Sequence, residues 1–88
     1  MPSLKKLLEK ILLGQSDKSL RFDDVRRVLT RLGFQERVKG SHHIFYHDRL
    51  PEIVNLQPAT GGLAKPYQVR QLRNIILQYG LVLAESEE

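Results

Sequence analysis

Eighty-eight residues at 41% hydrophobic suffice for one domain with one modest core, and not for a fold that encloses a large cofactor. There is no cysteine, which excludes disulfides and thiolate metal sites, and no apolar run is long enough for a transmembrane helix. The formal net charge is +4 although Glu85, Glu87 and Glu88 gather acid at the end, so the remainder is a basic surface suited to phosphate backbones or an acidic protein.

Leu4, Leu7, Leu8, Ile11 and Leu12 recur at helical spacing, with Ser3 as N-cap and Gly14 just past the end. Glu9 interrupts this basic, apolar start and no A-x-A-like cleavage site follows. It is therefore read as a helix of the folded protein rather than a signal peptide, and the cytoplasm is the expected location. Lys5, Lys6 and Lys10 would suit a membrane surface, but the helix is short and lacks tryptophan and phenylalanine. It is expected to cover the core or face a partner. Residues 14–20 form a polar connector.

Phe22, Val25, Val28, Leu29 and Leu32 make a second apolar stripe, with Asp23 and Asp24 in the first turn, where they complement the helix dipole. Arg26, Arg27 and Arg31 fall on its outer face, and Gly33 ends it. Residues 34–39 read as a first strand and Gly40-Ser41 as a two-residue hairpin turn. A second strand covers 42–47, rich in aromatic and β-branched residues, and a third covers 52–57 until Pro58 stops it. Residues 59–65 (ATGGLAK) are expected to be a flexible loop. Pro66 then opens a third helix on Val69, Leu72, Ile75, Ile76 and Tyr79, closed by Gly80. The tail at 84–88 is expected to fray. This order predicts an α+β fold: a three-stranded antiparallel sheet with helices on one face, the other face open and flanked by basic residues.

Neighbouring strand residues point to opposite faces, so His42 and His43 do not act side by side. His42 shares parity with Ile44 and Tyr46; His43 shares parity with Phe45 and His47. His43 and His47 lie about 13 Å apart along a strand, too far to chelate one metal. No carboxylate cluster offers a magnesium site, so no metal or cofactor is expected. Metal-free chemistry by one histidine remains. Imidazole exchanges a proton near neutral pH, and RNA carries its own nucleophile in the 2′-hydroxyl. A base and a cation for the phosphorane charge then suffice to cleave a strand, with Lys39 or an arginine as the cation. The plainer role for such a histidine is a hydrogen bond to a backbone carbonyl.

The helix ending L-x-x-L-G-F (Leu29 to Phe34), a strand, G-S-H-H-x-F (Gly40 to Phe45), a third strand and a closing amphipathic helix resemble the HicA toxin family over roughly residues 20–82. The resemblance implies a fold like the double-stranded-RNA-binding domain, helix–three strands–helix. It divides the chain into an N-terminal helix and linker (1–20), a HicA-like domain (21–83) and the acidic tail (84–88). It implies an mRNA interferase of a type II toxin–antitoxin system, an endoribonuclease whose catalytic residue is His42, with His43 as second choice and otherwise a packing residue. The implied partners are mRNA and a HicB-like antitoxin that blocks the active site. Lys39, Gly40 and Ser41 at the turn, with Lys65, Arg70 and Arg73 around the third helix, are the expected RNA contacts. The helix N-terminus beside Lys65 suits a phosphate.

Two departures stand out. Many members of the family begin near Phe22, so residues 4–13 are an addition, whose stripe suits a homo-oligomer or a brace against the sheet. The usual third strand also ends in a proline followed closely by another histidine, where this chain reads Asn55 to Thr60 (NLQPAT). If that second histidine assists catalysis elsewhere, this chain is slower, inactive or reliant on Lys65 instead. Two other functions fit the same residues: a non-catalytic RNA-binding module, which does not need His42, and a basic subunit that meets only an acidic protein.

Overall fold

Each apolar stripe becomes a helix, and the segment between the second and third becomes a sheet. A computed structural model describes residues 3–83, and the tail expected to fray at 84–88 lies outside the described residues. The helices are α1 (Leu4–Leu13), α2 (Phe22–Arg31) and α3 (Pro66–Tyr79); the strands are β1 (Gln35–Lys39), β2 (His42–Tyr46) and β3 (Ile53–Leu56). The strands form an antiparallel meander in the order β1-β2-β3. The α+β architecture expected from the sequence is thus the observed one.

Register decides which residues face the helices. Glu36 pairs with Phe45 and Val38 with His43 across β1–β2, while Phe45 pairs with Val54 and His43 with Leu56 across β2–β3. Cross-strand partners share a face. Phe45, Val54 and Leu56 are fully buried, in one core with Val25, Val28 and Leu29 of α2 and Val69 and Leu72 of α3. The alternate set, Arg37, Lys39, His42, Ile44, Tyr46, Ile53 and Asn55, lies on the open face.

Three local expectations need correction. Strand boundaries are tighter at both ends of β1–β2: Phe34 is a core residue preceding β1, and His47 leaves β2 to pack edge-on to Phe34, ring centroids 5.2 Å apart. Gly33 lies between them at φ +101°, and a Cβ there would sit 3.0 Å from His47 Nε2. The loop at 59–65 is hydrogen-bonded rather than free. It contains a 3-10 turn (Thr60–Gly62), Ala59 N donates to Leu63 O, and Ala64 N donates to Leu20 O. The amide of Ala64 thereby fastens the loop to the segment before α2.

The brace expected of the N-terminal helix runs to the other helices. α1 packs against α2 and α3. Ser3 caps it through a hydrogen bond accepted from Lys6 N. Its inward residues Leu4, Leu7 and Ile11 belong to the common core, each contributing roughly 1.5–3 kcal/mol when fully buried. Leu4, Leu7 and Ile11 of the stripe suggested for a homo-oligomer are thus covered within one chain, while Leu12 of that stripe and Leu13 stay exposed. At the far end, Tyr79 Oη donates to the Glu52 carboxylate at 2.6 Å, joining α3 to the β2–β3 turn, and that carboxylate raises the pKa of the phenol.

Candidate active site

The hairpin turn sets the position of the first histidine. Gly40 has φ +62° and a Cβ there would meet nothing, so backbone conformation rather than space requires glycine. Lys39 and His42 pair across the turn, which brings both to the open face at one end of the sheet. His42 is exposed there.

β3 ends beside it. Gln57, the next residue after the strand, extends its side chain to three neighbours. Its Nε2 lies 3.4 Å from His42 Nε2 and donates to Ser41 Oγ at 3.5 Å, while its Oε1 accepts from Lys65 Nζ at 3.2 Å. The main chain is anchored as well, because Gln57 N donates at 3.0 Å to Oε1 of Gln68 on α3. Gln68 is the one buried polar residue among the described residues, 4% exposed, and its Nε2 donates to Tyr67 Oη. Lys65 stands at the N-cap position of α3, which has no side-chain cap. The turn, the end of β3 and the start of α3 thus converge, and Ser41, His42 and Lys65 meet around one glutamine.

His43, on the opposite face, has a different environment. Its Nδ1 lies 2.6 Å from Glu36 Oε2, and its ring sits edge-on to Phe22 at 4.8 Å. Arg26 grips the same carboxylate in bidentate fashion, Nε at 2.8 Å and Nη2 at 3.0 Å. The Arg26 hydrogen bond, chiefly, and then that of His43 hold the Glu36 pKa below the usual carboxylate range against the opposing effect of burial. This trio ties α2 to β1 and β2.

Of the remaining expected contacts, Gly40 shapes the turn and Lys39 flanks His42. Arg70 lines a shallow cleft with residues 14–19 and Pro66. Arg73 is not brought to the histidine. Its guanidinium is held by Asp17, at 2.9 and 3.1 Å, and by the carbonyl of Ile11 at 3.0 Å. Gln57 and Gln68 were missed in the sequence, where glutamines at a strand end and inside a helix carry no signal without their neighbours. Among the described residues no three histidines or carboxylates gather as a metal site.

A family profile described as HicA toxin of bacterial toxin-antitoxin matches residues 22–81, from the first residue of α2 to just past α3. The chain belongs to this family. No curated protein and no solved structure matches it. As a HicA family member it is a toxin of a toxin–antitoxin system, for which a cognate antitoxin is implied. Residues 4–13 lie outside the match. No helix among the described residues is long and apolar enough to cross a membrane.

Proposed function

We propose that this HicA family member is a metal-independent endoribonuclease that cleaves mRNA in the cytoplasm with His42 as general base, and that a HicB-type antitoxin inhibits it by covering the same face. The supporting observation is the meeting of exposed His42 with Lys65 and Ser41 through Gln57. His43 is a poorer candidate, because its Nδ1 is engaged by Glu36 and its ring packs on Phe22.

Neutral His42 takes the proton of a ribose 2′-hydroxyl, and that oxygen attacks the adjacent phosphorus. The bond from phosphorus to the 5′-oxygen breaks, and the leaving oxygen is protonated by solvent or by the imidazolium just formed. The products are a 2′,3′-cyclic phosphate and a 5′-hydroxyl. Lys65 stabilises the phosphorane charge, and the uncapped N-terminus of α3 favours the same anion. Lys39 holds the flanking backbone. Lys65 thereby supplies a charge in a chain that lacks the histidine expected after Pro58.

The test is cleavage of RNA by purified protein in excess EDTA. His42→Ala is expected to lower the rate by at least about 100-fold, the usual contribution of a general base, and Lys65→Ala by roughly as much. His43→Ala retains cleavage at temperatures where it remains folded. Equal cleavage by all variants would sink the assignment. Binding without cleavage by the wild type would make the protein a non-catalytic RNA-binding module.

A further inference from the structure

We infer that Gln57 is a positioning residue that selects the tautomer of His42, placing the imidazole proton on Nδ1 and leaving Nε2 as the base. The inference deepens the reading of His42 as general base and rests on it for its catalytic consequence.

The argument begins at Lys65. An ammonium group has three donors and no acceptor, so the Gln57 atom that meets it at 3.2 Å is the amide oxygen. That fixes the orientation of the amide. Its nitrogen then faces Ser41 Oγ at 3.5 Å and His42 Nε2 at 3.4 Å, and an amide nitrogen only donates. His42 Nε2 must therefore accept, and the single proton of the neutral ring resides on Nδ1. The main chain that carries this side chain is anchored, because the backbone N–H of Gln57 is bound to buried Gln68. A Lys65–Gln57–His42 relay thus converts the fixed charge at the start of α3 into a choice between two ring nitrogens.

The choice matters because a proton on Nε2 would block the atom that faces Lys65 through the glutamine. Neutral imidazole in water prefers its proton on that nitrogen, so the relay opposes an intrinsic bias. The contact to His42 is long for a hydrogen bond. A substrate hydroxyl donating at roughly 2.7 Å displaces it without rearranging the ring, and the base and the phosphate-binding cation then act from one side.

The experiment is 15N NMR of the histidine side chains in the full chain without RNA, at a pH where the ring is neutral, for wild type, Gln57→Met and Gln57→Glu. Wild-type His42 is expected as the Nδ1–H tautomer. Gln57→Met moves the ratio toward Nε2–H by about fivefold, the effect of one ordinary hydrogen bond. Gln57→Glu, which presents an acceptor, moves it further in the same direction. The backbone bond to Gln68 survives both substitutions, and amide spectra verify the fold. Cleavage kinetics complete the test: Gln57→Met lowers kcat with KM little changed. An Nε2–H wild type, an unmoved ratio in Gln57→Met, or an unchanged kcat in a cleaving variant each overturns the inference. A tautomer switch in a wild type that does not cleave RNA overturns the nuclease reading and leaves the hydrogen-bond assignment standing.

Discussion

Glu36 accepts hydrogen bonds from Arg26 and meets His43 on the inward edge of the sheet, and a carboxylate so held makes stability depend on acid. Its folded pKa is depressed, with Arg26 the largest cause. A depressed carboxylate stabilises fully above its unfolded pKa of about 4.3, and the contribution is lost as pH falls through the folded value. Wild type should therefore exceed Glu36→Gln in urea midpoint at about pH 5, where the carboxylate is ionised in both states. That margin narrows as pH drops below about 4. A margin independent of pH down to 3 would show that the carboxylate charge contributes nothing. The neighbouring His42 has none of these ties, and the difference between adjacent residues follows from the strand pleat alone.

At the scale of elements, α1 is fastened by one arginine from the other end of the chain. Arg73 reaches the carbonyl of Ile11, near the C-terminus of α1, and the carboxylate of Asp17 in the connector. Both side chains are mostly buried, so each charge depends on the other for compensation. Asp17→Asn and Arg73→Met should each cost about 1.5–3 kcal/mol in denaturant unfolding, the range for hydrogen bonds to charged groups, and the double mutant less than their sum. RNA affinity of folded Arg73→Met should equal that of wild type. A loss of affinity at full folding would return Arg73 to the RNA contacts expected from the sequence.

For the whole molecule, the open face bearing His42 also carries Arg37 and Lys39, with Lys65 beside it, on a chain of net charge +4. Three phosphate contacts to single-stranded RNA correspond to a slope of about −2 in log affinity against log salt, and Lys65→Ala should flatten it by about 0.7. A salt-independent affinity would place RNA elsewhere. On the proposed reading the antitoxin covers the same face, so RNA and antitoxin should exclude one another in direct competition.

What the sequence determined by itself was whatever depends on period and turn chemistry. The stripes at Leu4, Phe22 and Val69 specify three helices, Gly40-Ser41 a hairpin, and the two-residue alternation separates His42 from His43. Strand ends were less legible, because Phe34 and His47 carry strand-like side chains that the core and an aromatic contact use instead. The site was legible only in part. His42 and Lys65 stand out as chemistry-bearing residues, but their meeting depends on β3 ending at the start of α3, and Gln57 acquires a role only when both sides of its amide find partners. The same holds for Arg73, whose charge suggests a phosphate until folding brings Asp17 beside it. Local pattern specifies what each segment becomes; long-range contact alone decides which charge stays on the open face and which is neutralised within the fold.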